Sequence, residues 1–266
     1  MKNIKRYHQL FESTQELTQE QKDWLDKCTN GTWKVNPRTG LVDVEGDFIC
    51  VQRKLTDFKG VRFGHVSKDF FCSDNSLTSL EGAPQRVDRT FYCSGNKLTS
   101  LKGAPKHVGG HFSCSFNELK SLEGAPQSLS RDFSCAYNNL TSLEGAPQRV
   151  GGGFYCSHNE LKSLKGAPQH VRVTFDCPRN NLTSLEGIPQ SMCRNFSFYN
   201  NPISERAIKG VVKRMRDKKI SLEQAVAEYW GYIPEDDKIY LAKHHPTLPE
   251  KEKRIYRAME LNMKRR

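Results

Sequence analysis

The residues of this 266-residue chain best suited to chemistry are its nine cysteines and eight histidines, yet their spacing argues against most uses of either. Cys72, Cys93, Cys114, Cys135, Cys156 and Cys177 recur every 21 residues, and Cys50 holds the same position in a less regular neighbouring turn. A thiol column of that period cannot close a tetrahedral metal site, and no C-x2-C pair occurs anywhere. Turns stacked like strands, ~4.8 Å apart, leave disulfides within reach. However, the N-terminus, MKNIKRYHQLFES, has no continuous apolar run to act as an export signal. A reducing cytoplasm is therefore expected, and with it a column of free, buried thiols acting as small hydrophobes. His107 and His111 fall on a loop-to-strand segment and so share no helical face, while His244-His245 has no further ligand nearby. The run Gly151-Gly152-Gly153 sits at a junction between repeats, which does not suit a phosphate cradle. With no nucleotide loop, no G-x-S-x-G and no H-E-x-x-H, the chain is expected to be non-enzymatic. No catalytic residue, cofactor, metal or small-molecule substrate is expected.

The chemistry that remains is recognition. Two columns of the repeat vary where the others hold. The position between the repeated Phe and Cys reads Phe71, Tyr92, Ser113, Ser134, Tyr155, Asp176, Ser197. The second position after Cys reads Asp74, Gly95, Phe116, Tyr137, His158, Arg179, Asn200. Rigidly held aromatic side chains add contact area with little entropy to lose, which suits anchoring a protein partner. Phe71, Tyr92, Phe116, Tyr137, Tyr155, His158 and Arg179 are the candidate binding residues, with Phe116, Tyr137, Tyr155, His158 and Arg179 as the best-placed cluster. The competing reading is that these aromatics only stack on their strand neighbours. Ser73, Ser94, Ser115 and Ser157 are a repeated small residue and look structural.

The elements that position these columns follow from the period. Asn75, Asn96, Asn117, Asn138, Asn159 and Asn180 are spaced by 21 without a slip, with Phe five before, Cys three before, Leu two and five after, Gly seven and Pro nine after. Such a period means a solenoid, whose turns bury their apolar side only against one another. The Phe-x-Cys alternation marks a short strand. The asparagine turns the chain, its amide bonding the backbone of the bend, and stacked amides form a ladder. Gly-Ala-Pro bars a helix on the way back. The expected fold is an α+β repeat solenoid of about eight turns of ~21 residues, degenerate at both ends as capping requires. Its domains are an N-terminal helix and β-hairpin cap (1–43), the solenoid (44–203) and a basic helical C-terminal module (204–266). The column Glu81, Lys102, Glu123, Glu144, Lys165, Glu186 brings opposite charges together in four of five neighbouring pairs, an expected aid to register.

The net charge of +11 is uneven. Residues 205–266 hold 16 Lys and Arg against 10 Asp and Glu, a net +6, leaving +5 to the other 204. Lys213, Arg214, Arg216, Lys218, Lys219 and Lys264-Arg265-Arg266 could meet phosphates, although Glu235-Asp236-Asp237 and other acids are interspersed. No stretch approaches the ~20 apolar residues of a membrane span, so no membrane role is expected.

The segment F-Y-C-S-G-N-K-L, Phe91 to Leu98, resembles the L-x-L-x-x-N-x-L core of leucine-rich repeats. The period of 21 and the following L-T-S-L-x-G-A-P are similar to the short bacterial class found in translocated effectors. Phe and Cys replace the usual leucines here, and the apolar residue before the strand stands four back from Phe instead of three. The resemblance implies a parallel β-sheet on the concave face, an extended convex side and a protein partner. Ubiquitin-ligase effectors join such repeats to a larger helical domain with a catalytic cysteine, and no cysteine follows Cys193. The opening M-K-N-I-K-R-Y-H-Q-L-F-E-S is similar to the first residues of many proteins of large tailed bacteriophages. In some of these phages a similar peptide targets internal proteins to the prohead and is cut after L-x-E, a motif matched by Leu10-Phe11-Glu12. The expected function is a phage-encoded module that binds or inhibits a host protein, such as a defence protein, in the host cytoplasm. One alternative is a structural or packaged virion component addressed by its N-terminal peptide. Another is nucleic-acid binding through the C-terminal helices.

Overall fold

A computed structural model describes residues 16–183, Gly187, 195–198 and 200–202. It is a parallel β-solenoid of about six turns at the 21-residue spacing, with little helix. The expected count of eight turns draws on residues 184–203, most of which lie outside the described set, as do the N-terminal peptide and the helical module over 204–266.

The first described element is helix α1, Gln19–Cys28. Thr18 caps it: the Thr18 hydroxyl accepts from the Gln21 N–H at 3.2 Å, and the Gln21 side chain accepts from the Thr18 N–H at 2.8 Å. Its buried face, Trp24, Leu25 and Cys28, covers the first turn, with the Trp24 ring edge-on to Phe48 at 5.3 Å. Strand β1 (Thr29–Val35) follows directly and pairs antiparallel with β2 (Val42–Ile49) through a turn closed by Gly40 donating to the Asn36 carbonyl. Trp33 Nε1 donates to Asp26 at 2.7 Å and ties this hairpin to the helix.

Strand β2 is longer than the sequence suggests, and it seeds two columns at once. Its first half pairs with β3 (Phe63–Val66) and its second half with β4 (Phe70–Phe71), both parallel. Cap and solenoid therefore share one strand, and no boundary at 43/44 separates them. From β4 a column of short strands continues in register, Phe opposite Phe, through Phe91–Tyr92, Phe112–Ser113, Phe133–Ser134, Phe154–Tyr155, Thr174–Asp176 and Asn195–Ser197. From β3 a second column runs through Arg86–Val87 to His107–Val108 and stops. It resumes as a separate three-stranded sheet of Ser128–Leu129, Arg149–Val150 and His170–Val171. No helix interrupts residues 29–183, as Gly-Ala-Pro on the return leg predicts.

Three inward columns hold the stack. The phenylalanine rings from Phe70 to Phe175 stack with centroids 5.2–5.5 Å apart and planes within 28°. Offset pairs of this kind add ~0.5–1.5 kcal/mol each beyond their area burial. The eight described cysteines are buried and form no disulfide, and Cys72, Cys93 and Cys114 each donate S–H to the strand carbonyl of the next turn at 3.4 Å. Burial pushes these thiols far above their ordinary range, so they stay protonated.

The asparagines do more than turn their own bend. Asn117 Oδ1 accepts the Leu98 N–H at 3.0 Å, while Nδ2 donates to the Cys93 carbonyl of the preceding turn and the Cys114 carbonyl of its own, both at 3.1 Å. The same three bonds recur from Asn96 to Asn180 and again at Asn201. The amides thus join backbone to backbone across each junction instead of bonding one another as a ladder. Gly103 shows why the following glycine recurs: its φ is +90°, and a Cβ would lie 2.6 Å from the Leu80 carbonyl oxygen.

The expected column of opposite charges is largely unformed. Among the described residues only Lys165 and Glu144 close, at 3.9 Å, with both side chains mostly exposed. Register is set by Phe, Cys and Asn, because exposed pairs of long side chains gain too little to hold one geometry.

Candidate recognition surface

The bend after each strand of the long column places one residue in the left-handed region, just before the asparagine position (Arg53 in the first turn). The φ values are 55° at Gln52 and Asp74, 65° at Gly95, 56° at Phe116 and Tyr137, 54° at His158, 52° at Arg179 and 53° at Asn200. Glycine, aspartate and asparagine suit this conformation, whereas it costs a bulky L-residue ~1–2 kcal/mol. Four consecutive rungs nevertheless carry large planar side chains.

Those four form a continuous outward ladder. Phe116 stacks on Tyr137 at 4.3 Å and 11°, and Tyr137 on His158 at 3.9 Å and 14°. Arg179 closes the far end, its Nη1 lying 3.0 Å from His158 Nε2. Guanidinium only donates, so Nε2 accepts and the ring proton sits on Nδ1, which is buried without a hydrogen-bond partner among the described residues. Burial, then the Arg179 charge, holds the His158 ring below its ordinary pKa against a weaker pull from Asp176. The outer edge stays open, with Phe116 57% and Tyr137 42% exposed. Two stacked contacts and one hydrogen bond, at ~0.5–1.5 kcal/mol each, do not exceed four left-handed penalties of ~1–2 kcal/mol. Mutual stacking therefore explains how the ladder is tolerated, but not why bulky residues stand where asparagine would cost less.

The candidate residues fall into three groups. Phe116, Tyr137, His158 and Arg179 make the ladder. Phe71 and Tyr92 form a tilted pair at 5.3 Å and 32° on the strand column. Tyr155 belongs with neither: its ring folds over Gly153, where a Cβ would come within 2.6 Å of the ring. The best-placed cluster thus divides, and Tyr155 is in a different column from its four expected companions. Between Tyr92 and Tyr155 the strand face is floored by hydroxyls, with Ser94 to Ser113 and Ser115 to Ser134 each 2.7 Å apart.

The residue before each Phe joins the candidates, because strand alternation places it on the same face as the residue after. Asp69 and Asp132 stand there, and His111 Nδ1 lies 3.1 Å from Asp132. Burial, then Asp132 among the nearby carboxylates, pushes the Tyr92 and Tyr155 hydroxyls above their usual range. Part of this column is structural: Asp47, Asp69 and Asp132 accept the backbone N–H of Asp69, Thr90 and Gly153 in the next turn.

A groove of about 600 Å³ marks the break in the second strand column, lined by Arg86, Asp88, Lys106, His107, Gln127, Ser128 and Ser130. Its charge is partly quenched. Arg86 and His65 reach Asp88 at 2.7 and 2.9 Å, and against the upward pull of burial they hold that carboxyl below its usual range. Among the described residues no three His, Cys, Asp or Glu side chains are placed to share a metal ion, and no helix is long and apolar enough to cross a membrane. Leu10, Phe11 and Glu12 lie outside the described residues. No family model, curated protein or solved structure matches the chain.

Proposed function

We propose that this chain is a non-enzymatic recognition module that binds a protein partner through the outward face of its long strand column, with the ladder from Phe116 to Arg179 as anchor. The observation that carries this reading is four bulky planar residues held at positive φ. Strained, exposed aromatics that the stack itself does not need are what a binding surface retains. The reading extends to a leucine-rich-repeat solenoid of about eight turns, supported by the F-x-C-x-x-N-x-L segment and by asparagines that bond the backbone of the bend. A phage source, a host protein as target and action in the host cytoplasm rest on the N-terminal resemblance. The test is affinity capture from bacterial lysate with the full chain and with Phe116→Asn/Tyr137→Asn. Asparagine suits the bend, so the variant should fold, lose the partner and leave background proteins unchanged. Retention of the same partner by the variant would refute this surface.

A further inference from the structure

The ladder is closed at one end and open at the other. At the closed end the chain's own Arg179 reaches His158. At the open end the next rung is Gly95, which has no side chain, so the face of Phe116 away from Tyr137 is uncovered. One rung further stands Asp74, exposed, whose carboxylate leans over the gap: a Cβ on Gly95 would lie 2.3 Å from Asp74 Oδ1. No ion pair within the described residues involves Asp74.

We propose that the rung over Gly95, which only the Asp74 carboxylate enters and which faces the Phe116 ring, is a seat for a guanidinium group, supplied by an arginine of the protein partner. Adjacent turns are ~4.8 Å apart, so rungs 74 and 116 are separated by ~10 Å, enough for one planar layer stacked on Phe116. The layer must be planar to continue a ladder whose rings lie within 14° of one another. It must be cationic to meet the free carboxylate of Asp74. Guanidinium satisfies both, stacking on aromatic faces while its fork pairs with a carboxylate. An ammonium has no plane to stack. A nucleobase would bring its phosphates to a face that also carries Asp69, Asp132 and Asp176, where like charges repel them.

This proposal names a partner group at the surface of the proposed function and rests on that reading, but its test needs no partner. N-acetyl-arginine amide and N-acetyl-lysine amide are titrated against the full chain, following the ring resonances of Phe116 by NMR. The arginine amide should shift them saturably in the millimolar range, with the lysine amide about fivefold weaker or worse. Asp74→Asn should weaken the arginine amide about fivefold, because the pairing charge is lost. Gly95→His should abolish the shift by filling the rung, and the bend already accommodates histidine at position 158. Should that variant misfold, Gly95→Asn, the cheapest side chain for this φ, fills the same space. Equal shifts from the two amides, no shift at all, or full binding by the filled variant would overturn the seat. Those outcomes would leave partner capture through Tyr137 untouched. Conversely, a seat that binds arginine in a protein whose captured partner ignores Phe116→Asn/Tyr137→Asn would retain the seat and refute the broader reading.

Discussion

Phe116 and Asn117 are consecutive residues of one bend, and they obey opposite rules. Asn117 is 8% exposed and satisfies an N–H and two carbonyls that the bend leaves without backbone partners. Its column runs from Asn75 to Asn180 without a change of residue type. Phe116 is 57% exposed, its ring meets the stack through the outward Tyr137 ring, and it sits in a conformation its side chain disfavours. Its column holds glutamine, aspartate, glycine, phenylalanine, tyrosine, histidine, arginine and asparagine. The inward column is fixed by what the backbone lacks. The outward one is free to vary, and there the chain tolerates strain.

The sharpest way to break this contrast is on the inward side. Asn138→Ala strands the Leu119 N–H and the Cys114 and Cys135 carbonyls. At ~1–3 kcal/mol per buried unsatisfied group, urea denaturation should show a loss of about 4 kcal/mol. A loss below about 1 kcal/mol would mean that water replaces the amide and the asparagine column is not the clasp described here.

The cysteine column extends the comparison. In a Cys193→Ser background the eight described thiols, all buried, should react with iodoacetamide at pH 8 about a thousandfold more slowly than in urea. Rapid labelling of Cys93 or Cys114 in native protein would show that the turns open one at a time.

The smallest effect lies within the ladder. His158 is held below its ordinary pKa of 6.5 by burial and by Arg179. A histidine depressed in the folded state contributes stability that is complete above the unfolded value and is lost as pH falls through the folded one. Its NMR titration midpoint should lie below 6.5, Arg179→Ala should raise it, and stacking on Tyr137 should weaken on acidification below pH 6.5. A midpoint at or above the ordinary value would detach His158 from the ladder.

Much of this was legible in the residues. The inward columns repeat because each turn meets an identical neighbour, so Phe91, Cys93, Asn96 and Leu98 reveal their burial by recurrence alone. The left-handed rung was within reach too, since Asp74, Gly95 and Asn200 are the residue types that favour it, but the aromatics between them mask the signal. The direction of Tyr155 was hidden because it depends on Gly153, two residues back on the same strand face. The charge column is a weaker signal, because opposite signs at one spacing say nothing about whether long, solvated side chains close. The doubled role of β2 was not visible, because its residues match the template for one turn while pairing with two strands.

The central claim is that the ladder serves recognition and is not needed by the stack. Urea unfolding of Phe116→Asn/Tyr137→Asn beside the parent chain tests it most directly. Relief of two left-handed penalties against the loss of two stacked contacts predicts a variant as stable as the parent or about 1 kcal/mol more so. A loss of about 2 kcal/mol or more would contradict the account and return these aromatics to the role of structural stack.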